Sequence, residues 1–236
     1  MRSTLAAVSA AALIATATAW DNTPPIPERH VGWYEGKGKQ MITFEVFYDL
    51  TCAGSAAMHP ELQKFLAMPF LGETVRDAIT VNYAFIPLPY HHASWIPHKI
   101  IPYIVDKCVK SQLDCKLPYY ISYAFNNQGL ILGATDKGYN QIMQMWTSMV
   151  STAFGWPQAE LMALYEWDTD THNSEMRVRY SWKYSASQAV SDTPSLAVNG
   201  IQVQEPPFDA GSMMQLLTDV YNSQKVGEER TVTFLA

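Results

Sequence analysis

Residues 41–50 read MITFEVFYDL, a run rich in β-branched and aromatic side chains that predicts a strand. The next stretch, CAGSAAMHPELQKFLA over 52–67, changes period: Ala56, Leu62, Phe65 and Leu66 can share one helical face. Pro60 falls inside that helix and is expected to kink it. A second strand follows in AITVNYAFIPLPY, apolar almost throughout, as for a strand buried on both faces.

From His91 to about Ser185 the pattern is helical, in pieces at roughly 95–110, 117–126, 137–153, 157–166 and 172–189, separated by Gly, Asn and Pro breaks. The character then reverts. SDTPSLAVNGIQV predicts a strand, an Asn-Gly turn and a second strand. Asp209 is placed to cap a last helix reaching about Asn222. The order is β-α-β, a helical block, then β-β-α, so the block at about 93–187 interrupts one small α/β unit. Four strands, at 41–50, 79–87, 194–199 and 201–204, are expected in one sheet, the first two parallel. The lead DNTPPIPERH is too proline-rich for helix, and Gly36-Lys37-Gly38-Lys39 lacks phosphate-loop spacing and precedes a strand, so it reads as a turn.

The first nineteen residues, MRSTLAAVSAAALIATATA, have the build of a secretory signal, with cleavage before Trp20. Residues 20–236 then form a single domain, secreted or in the endoplasmic reticulum lumen, with no later segment long and apolar enough for a membrane span. Charged residues make up only 16% of the 236-residue chain and its formal charge is -6, with no clustered basic run. Nucleic acid is therefore excluded as a partner, since phosphate binding needs grouped Lys and Arg.

Three cysteines in an oxidising compartment predict one disulfide and one free thiol. Cys108 and Cys115, in KCVKSQLDCKLP, are the local pair, which leaves Cys52 free. On one straight helix seven residues rise about 10.5 Å, beyond the ~7 Å reach between α-carbons of a disulfide. The bond therefore requires the helix to end before Cys115, and SQLD with Pro118 beyond it allows that. His91, His92 and His98 form HHxxxxxH without a local carboxylate or cysteine, so no metal site is expected. Met143, Met145, Trp146 and Met149, like Trp156, Leu161 and Leu164, read as core.

With these features in order, the chain resembles the thioredoxin superfamily in its DsbA-like branch, over most of residues 40–222. The resemblance rests on ITFEVFYDL leading into Cys52 and Ser55, on Pro60, on Thr193-Pro194 before a strand ending in Asn199-Gly200, and on the helical insertion. It implies an α/β thioredoxin-like fold with an inserted helical subdomain. It also implies a cis Pro194 beside Cys52, a Thr193 backbone open to an extended client, and a groove bordered by His91. Tyr48-Asp49, just before Cys52, is also similar to the kappa-class glutathione transferases. The departure is at Ser55 and Ala53, where redox members carry a second cysteine and commonly a proline.

That departure sets the expected chemistry. Cys52 at a helix start meets unpaired N–H groups and the positive end of the dipole, which favour a thiolate, and Ser55 could donate a hydrogen bond to it. Without a second thiol the site cannot resolve its own mixed disulfide. The catalytic pair is thus Cys52 with Ser55, and the substrate-binding set is Thr193, Pro194 and His91. The partner is a thiol-containing protein or peptide client. No cofactor is expected beyond glutathione as a candidate co-substrate. Such a site suits reduction or isomerisation and not oxidation. The rivals are a kappa-like glutathione transferase or isomerase, and a non-catalytic binding or chaperone protein on the same scaffold, in which Cys52 is a buried packing residue.

Overall fold

The run TFEVFY is buried along almost its whole length because it lies at the centre of a five-stranded sheet. The computed structural model describes residues 27, 29–111 and 114–235; the expected signal at 1–19 lies outside them. In chain order the elements are β1 (Trp33–Gly36), β2 (Thr43–Tyr48), α1 (Ala53–Ala67), a small hairpin of β3 (Pro69–Phe70) and β4 (Glu73–Thr74), α2 (Val75–Ala78) and β5 (Thr80–Phe85). Six helices follow: α3 (Trp95–Lys99), α4 (Ile101–Lys110), α5 (Leu117–Leu132), α6 (Tyr139–Phe154), α7 (Gln158–Ala163) and α8 (Ser174–Ser187). The chain closes through β6 (Ser195–Val198), β7 (Ile201–Gln202) and α9 (Ala210–Leu235).

The sheet order is β1-β5-β2-β6-β7. β2 and β5 run parallel, with Phe44 opposite Val81, Val46 opposite Tyr83 and Tyr48 opposite Phe85. β6 pairs antiparallel with β2, and β7 with β6. Because side chains alternate along a strand, Phe44, Val46 and Tyr48 join the main core with Leu62 and Phe65 of α1. Phe47 and Ala84 point the other way, to a smaller cluster with Leu88, Val190 and Ala197. Between them on that second face, buried Glu45 accepts from Asn82 and from the Tyr184 hydroxyl.

Several boundaries differ from the sequence reading. β1 was not expected; it adds antiparallel to β5 after a proline-rich lead, and the turn at Gly36 (φ +94°) brings the backbone so close to Ile79 that a Cβ there would sit 2.1 Å from its carbonyl oxygen. The β3–β4 hairpin has two residues a strand, too few for a period to show. α1 continues unbroken through Pro60, whose ring lies on the exposed face. α5 runs on past Asn126 and Gly129 to Leu132, because Gln128 and Ile131 keep the core-facing stripe going. Asp209 does cap α9, its Oδ1 accepting from the Ser212 N–H at 2.9 Å, and α9 extends well past Asn222. Trp146, Met143, Leu161 and Leu164 are buried in the core.

α4 ends at Lys110, and the chain turns at Ser111 so that Cys108 and Cys115 approach to 4.4 Å between α-carbons and bond. Cys52 is the free cysteine. No helix among the described residues is long and apolar enough to cross a membrane.

Candidate active site

β2 delivers the chain to Asp49, and the turn that follows is built around its carboxylate. The Cys52 N–H donates to the Asp49 carbonyl at 3.0 Å. The Asp49 side chain, wholly buried, accepts from the Thr51 N–H and hydroxyl at 2.7 Å each, from the Leu88 N–H at 2.8 Å, and from the Ser94 hydroxyl at 2.7 Å. His91 Nδ1 completes the set at 2.7 Å. Burial works to raise the Asp49 carboxyl, but His98 and the hydrogen bonds from Leu88, Thr51 and Ser94 outweigh it and hold the group below the usual carboxylate range. His98 itself is pushed down by burial. Its Nδ1 lies 2.7 Å from the Ser94 carbonyl and its Nε2 3.4 Å from the Leu50 N, so the ring braces the turn.

Cys52 is the N-cap residue of α1, with extended backbone (φ −80°, ψ 125°). Its sulfur donates to the Thr193 carbonyl at 3.1 Å, and the residue is 8% exposed. The Thr193–Pro194 peptide is cis, and Pro194 is buried against the first turn of α1. Gly54 makes this approach feasible: a Cβ there would lie 3.0 Å from Pro194 Cδ and 3.6 Å from the Cys52 sulfur. From the insertion, Gln128 of α5 donates to the Cys52 carbonyl at 3.4 Å. Tyr90, 64% exposed, stands at the rim; its hydroxyl is pushed up by partial burial and by the nearby Asp192, Cys52 and Asp49.

The structure thus brings Cys52, Thr193 and Pro194 into contact and ties His91 to the same turn through Asp49. Ser55 departs from expectation. Its hydroxyl faces inward on α1, buried and without a hydrogen-bond partner, and the Cys52 thiol hydrogen goes to Thr193 instead. Two more buried polar atoms near it are also unpartnered, the Tyr48 hydroxyl and His59 Nδ1. His59 lies one turn beyond Ser55 on α1, and its ring meets Tyr48 edge-on at 5.7 Å. Loss of hydration, with Arg76 adding to it, pushes His59 down to about 4. Asp49 as an organising centre, Gly54, Tyr90 and Gln128 were missed from sequence. Ser94 and His98 at i, i+4 were the available signal for the first. His92 is exposed, and no metal-binding cluster of His, Cys, Asp and Glu occurs among the described residues.

No family profile matches the chain, and no curated protein does. Solved structures do. A putative protein-disulfide isomerase from Pseudomonas syringae is similar over 75% of this chain and 90% of its own, at 19% identity and a TM-score of 0.56. BdbD from Bacillus subtilis is similar over 81% and 93%, at 12% identity and a TM-score of 0.57. The oxidoreductase NmDsbA1 from N. meningitidis is similar over 85% and 90%, at 15% identity and a TM-score of 0.51. The fold is DsbA-like. In that DsbA-like frame the thioredoxin unit supplies Cys52 and the Thr193–Pro194 loop, while the insertion, from Ser94 through α8, supplies Gln128, Ser94 and His98 around them.

Proposed function

We propose that the protein carries out thiol–disulfide exchange through Cys52 alone, forming a mixed disulfide by attack on a disulfide of a thiol-containing client or of oxidised glutathione. The observation that carries this reading is the placement of Cys52 Sγ, at the N-cap of a fifteen-residue helix and 3.1 Å from the Thr193 carbonyl beside Pro194. The unpaired N–H groups of the first helical turn point toward that position. The thiolate attacks one sulfur of a client disulfide. The S–S bond breaks, the other sulfur leaves as a thiolate and takes a proton from solvent, and Cys52 is joined to the client.

Ser55 has no thiol with which to release that adduct, so an external thiol such as glutathione must attack it. This favours reduction or isomerisation over net oxidation. Pro194 and Thr193 serve as the platform for an extended client, and Asp49, hydrogen-bonded to His91, braces the turn that presents Cys52. The solved structures of similar fold include a putative protein-disulfide isomerase and an oxidoreductase, which supports the class of reaction.

One observation favours a second reading, a binding protein on the same scaffold: Cys52 is buried and its thiol hydrogen is already engaged by Thr193. Incubation with oxidised glutathione, followed by intact-mass measurement, separates the two. Under thiol exchange, one glutathione adds per chain and Cys52→Ser abolishes the addition. No adduct on the native protein, with ready modification after unfolding, would leave the binding reading.

A further inference from the structure

A cavity of about 470 Å³ lies between the stretch that precedes β1, the end of β5, and helices α4 and α8. Neither Cys52, His91, Thr193 nor Pro194 lines it. The volume falls within the roughly 300–1,000 Å³ of small-molecule sites. Its apolar part is formed by Phe85, Ile101, Val105 and Val178. On α8 the facing positions are 177, 178, 180 and 181, a single helical stripe that sets Arg177 beside this apolar wall.

The polar groups are unevenly committed. Asp106 is the one carboxylate among the lining residues, and both of its oxygens are taken: Oδ1 accepts from Arg177 Nη1 at 2.8 Å and Oδ2 from His172 Nδ1 at 2.7 Å. Ser181 is also satisfied, through the backbone of Phe85. Arg177 uses only Nη1, toward Asp106, the Pro102 carbonyl and the His172 carbonyl. Its Nε and Nη2 have no partner among the described residues. Arg29, in the opposite wall, has no ion pair among the described residues. Two guanidinium groups against one saturated carboxylate leave donors and a net positive charge above an apolar surface.

We propose that this cavity binds a small organic carboxylate with an aromatic or branched hydrocarbon body. The carboxylate takes the free donors of Arg29 and Arg177, for which a planar two-oxygen anion is the matched acceptor. The body lies on Phe85, Ile101, Val105 and Val178. An inorganic anion would leave that apolar wall uncovered, and a neutral apolar molecule would leave both arginines unanswered.

The test is calorimetric titration of the full chain with 3-phenylpropanoate, and with 3-phenylpropanamide as a neutral compound of the same shape. Saturable one-to-one binding of the acid is expected, with the amide weaker by about tenfold or more, the size of a charge-assisted hydrogen bond. Arg29→Gln, an exposed position, should weaken the acid to a similar degree. Val178→Phe, which fills the apolar wall, should abolish binding while the unfolding midpoint reports whether the fold holds. The proposal is overturned by absence of saturable binding, by equal binding of acid and amide, or by undiminished binding in Arg29→Gln. If Val178→Phe unfolds the protein, the amide and Arg29→Gln arms still decide.

Discussion

His91 Nδ1 and Asp49 Oδ2 lie 2.7 Å apart, and through that contact the loop after β5 is fastened to the turn that presents Cys52. Asp49 is the hub: its carboxylate is what five separate groups from residues 51, 88, 91 and 94 converge on. Removing it strands buried donors, each worth about 1–3 kcal/mol when left unpaired. Asp49→Ala should therefore destabilise the protein by about 3 kcal/mol or more in urea denaturation. His91→Ala, which removes one partly exposed donor, should cost about 1 kcal/mol.

The sign of the pH effect follows from the same carboxylate. Its folded-state pKa is lowered, so the stabilisation is present above the unfolded value near 4 and is lost as pH falls through the folded one. His59 acts at higher pH. Burial pushes it down to about 4, whereas in the unfolded chain it titrates near 6.5, so the unfolded state gains a proton first as pH falls. Stability should decline by about 3 kcal/mol between pH 6.5 and 4 on this account. His59→Gln should flatten that part of the curve in urea denaturation run across pH. A slope unchanged by the substitution would assign the decline to other groups.

How much of this was legible in the sequence depends on whether a signal is local. The strand ending at Tyr48, the helix from Ala53 and the Asn199–Gly200 turn each announce themselves within a few residues, and their order gave the sheet. The meeting of Cys52 with Thr193, 141 residues apart in sequence, came only from resemblance, since periodicity carries nothing about such a contact. Asp49 enters the sequence reading only as part of the Tyr48-Asp49 pair; its five hydrogen bonds come from partners up to 45 residues away, which no local pattern reveals. The direction of the Ser55 side chain was misjudged for a different reason. Helix-start residues can turn outward or inward, and here the inward stripe of Ser55, Met58, His59 and Leu62 takes it into the core.

Gly54 gives a steric prediction. A helical Gly→Ala change ordinarily stabilises by about 0.5–1 kcal/mol. At Gly54 the added methyl would sit 3.0 Å from Pro194 Cδ, so that gain should be absent. Gly54→Val, with more bulk at the same spot, should cost about 1–3 kcal/mol. Thermal denaturation of both variants, compared with Gly129→Ala, where no atom lies within 4 Å of the added methyl, isolates the contact from helix propensity.

The Cys108–Cys115 bond closes a short loop at the end of α4. On the chain-entropy account its removal, by Cys108→Ser with Cys115→Ser, should cost about 2.5 kcal/mol. The measurement is the shift in urea midpoint at unchanged slope. The rate of Cys52 alkylation should stay within about twofold of the parent, because α4 contributes no described hydrogen bond to Cys52. A large change in that rate would mean that the bond also shapes the site.

Ser55 provides the sharpest test of single-thiol chemistry, because two substitutions at one position separate packing from reactivity. Its hydroxyl is buried and unpartnered, so Ser55→Ala removes a desolvated polar group and should be neutral or slightly stabilising. Ser55→Ala should also leave the glutathione adduct of Cys52 as long-lived as in the parent, since no hydrogen bond from Ser55 reaches the sulfur. Ser55→Cys installs a second sulfur of similar size within the same turn of α1. Its thiolate can attack the Cys52 sulfur of a mixed disulfide, expel the client as a thiol and leave an internal disulfide in its place. Adduct lifetime, followed by quenched intact-mass measurement, should therefore shorten by tenfold or more in Ser55→Cys alone. Equal lifetimes in all three proteins would show that the introduced thiol cannot reach Cys52, and that self-resolution at this site is barred by geometry and not by the missing cysteine.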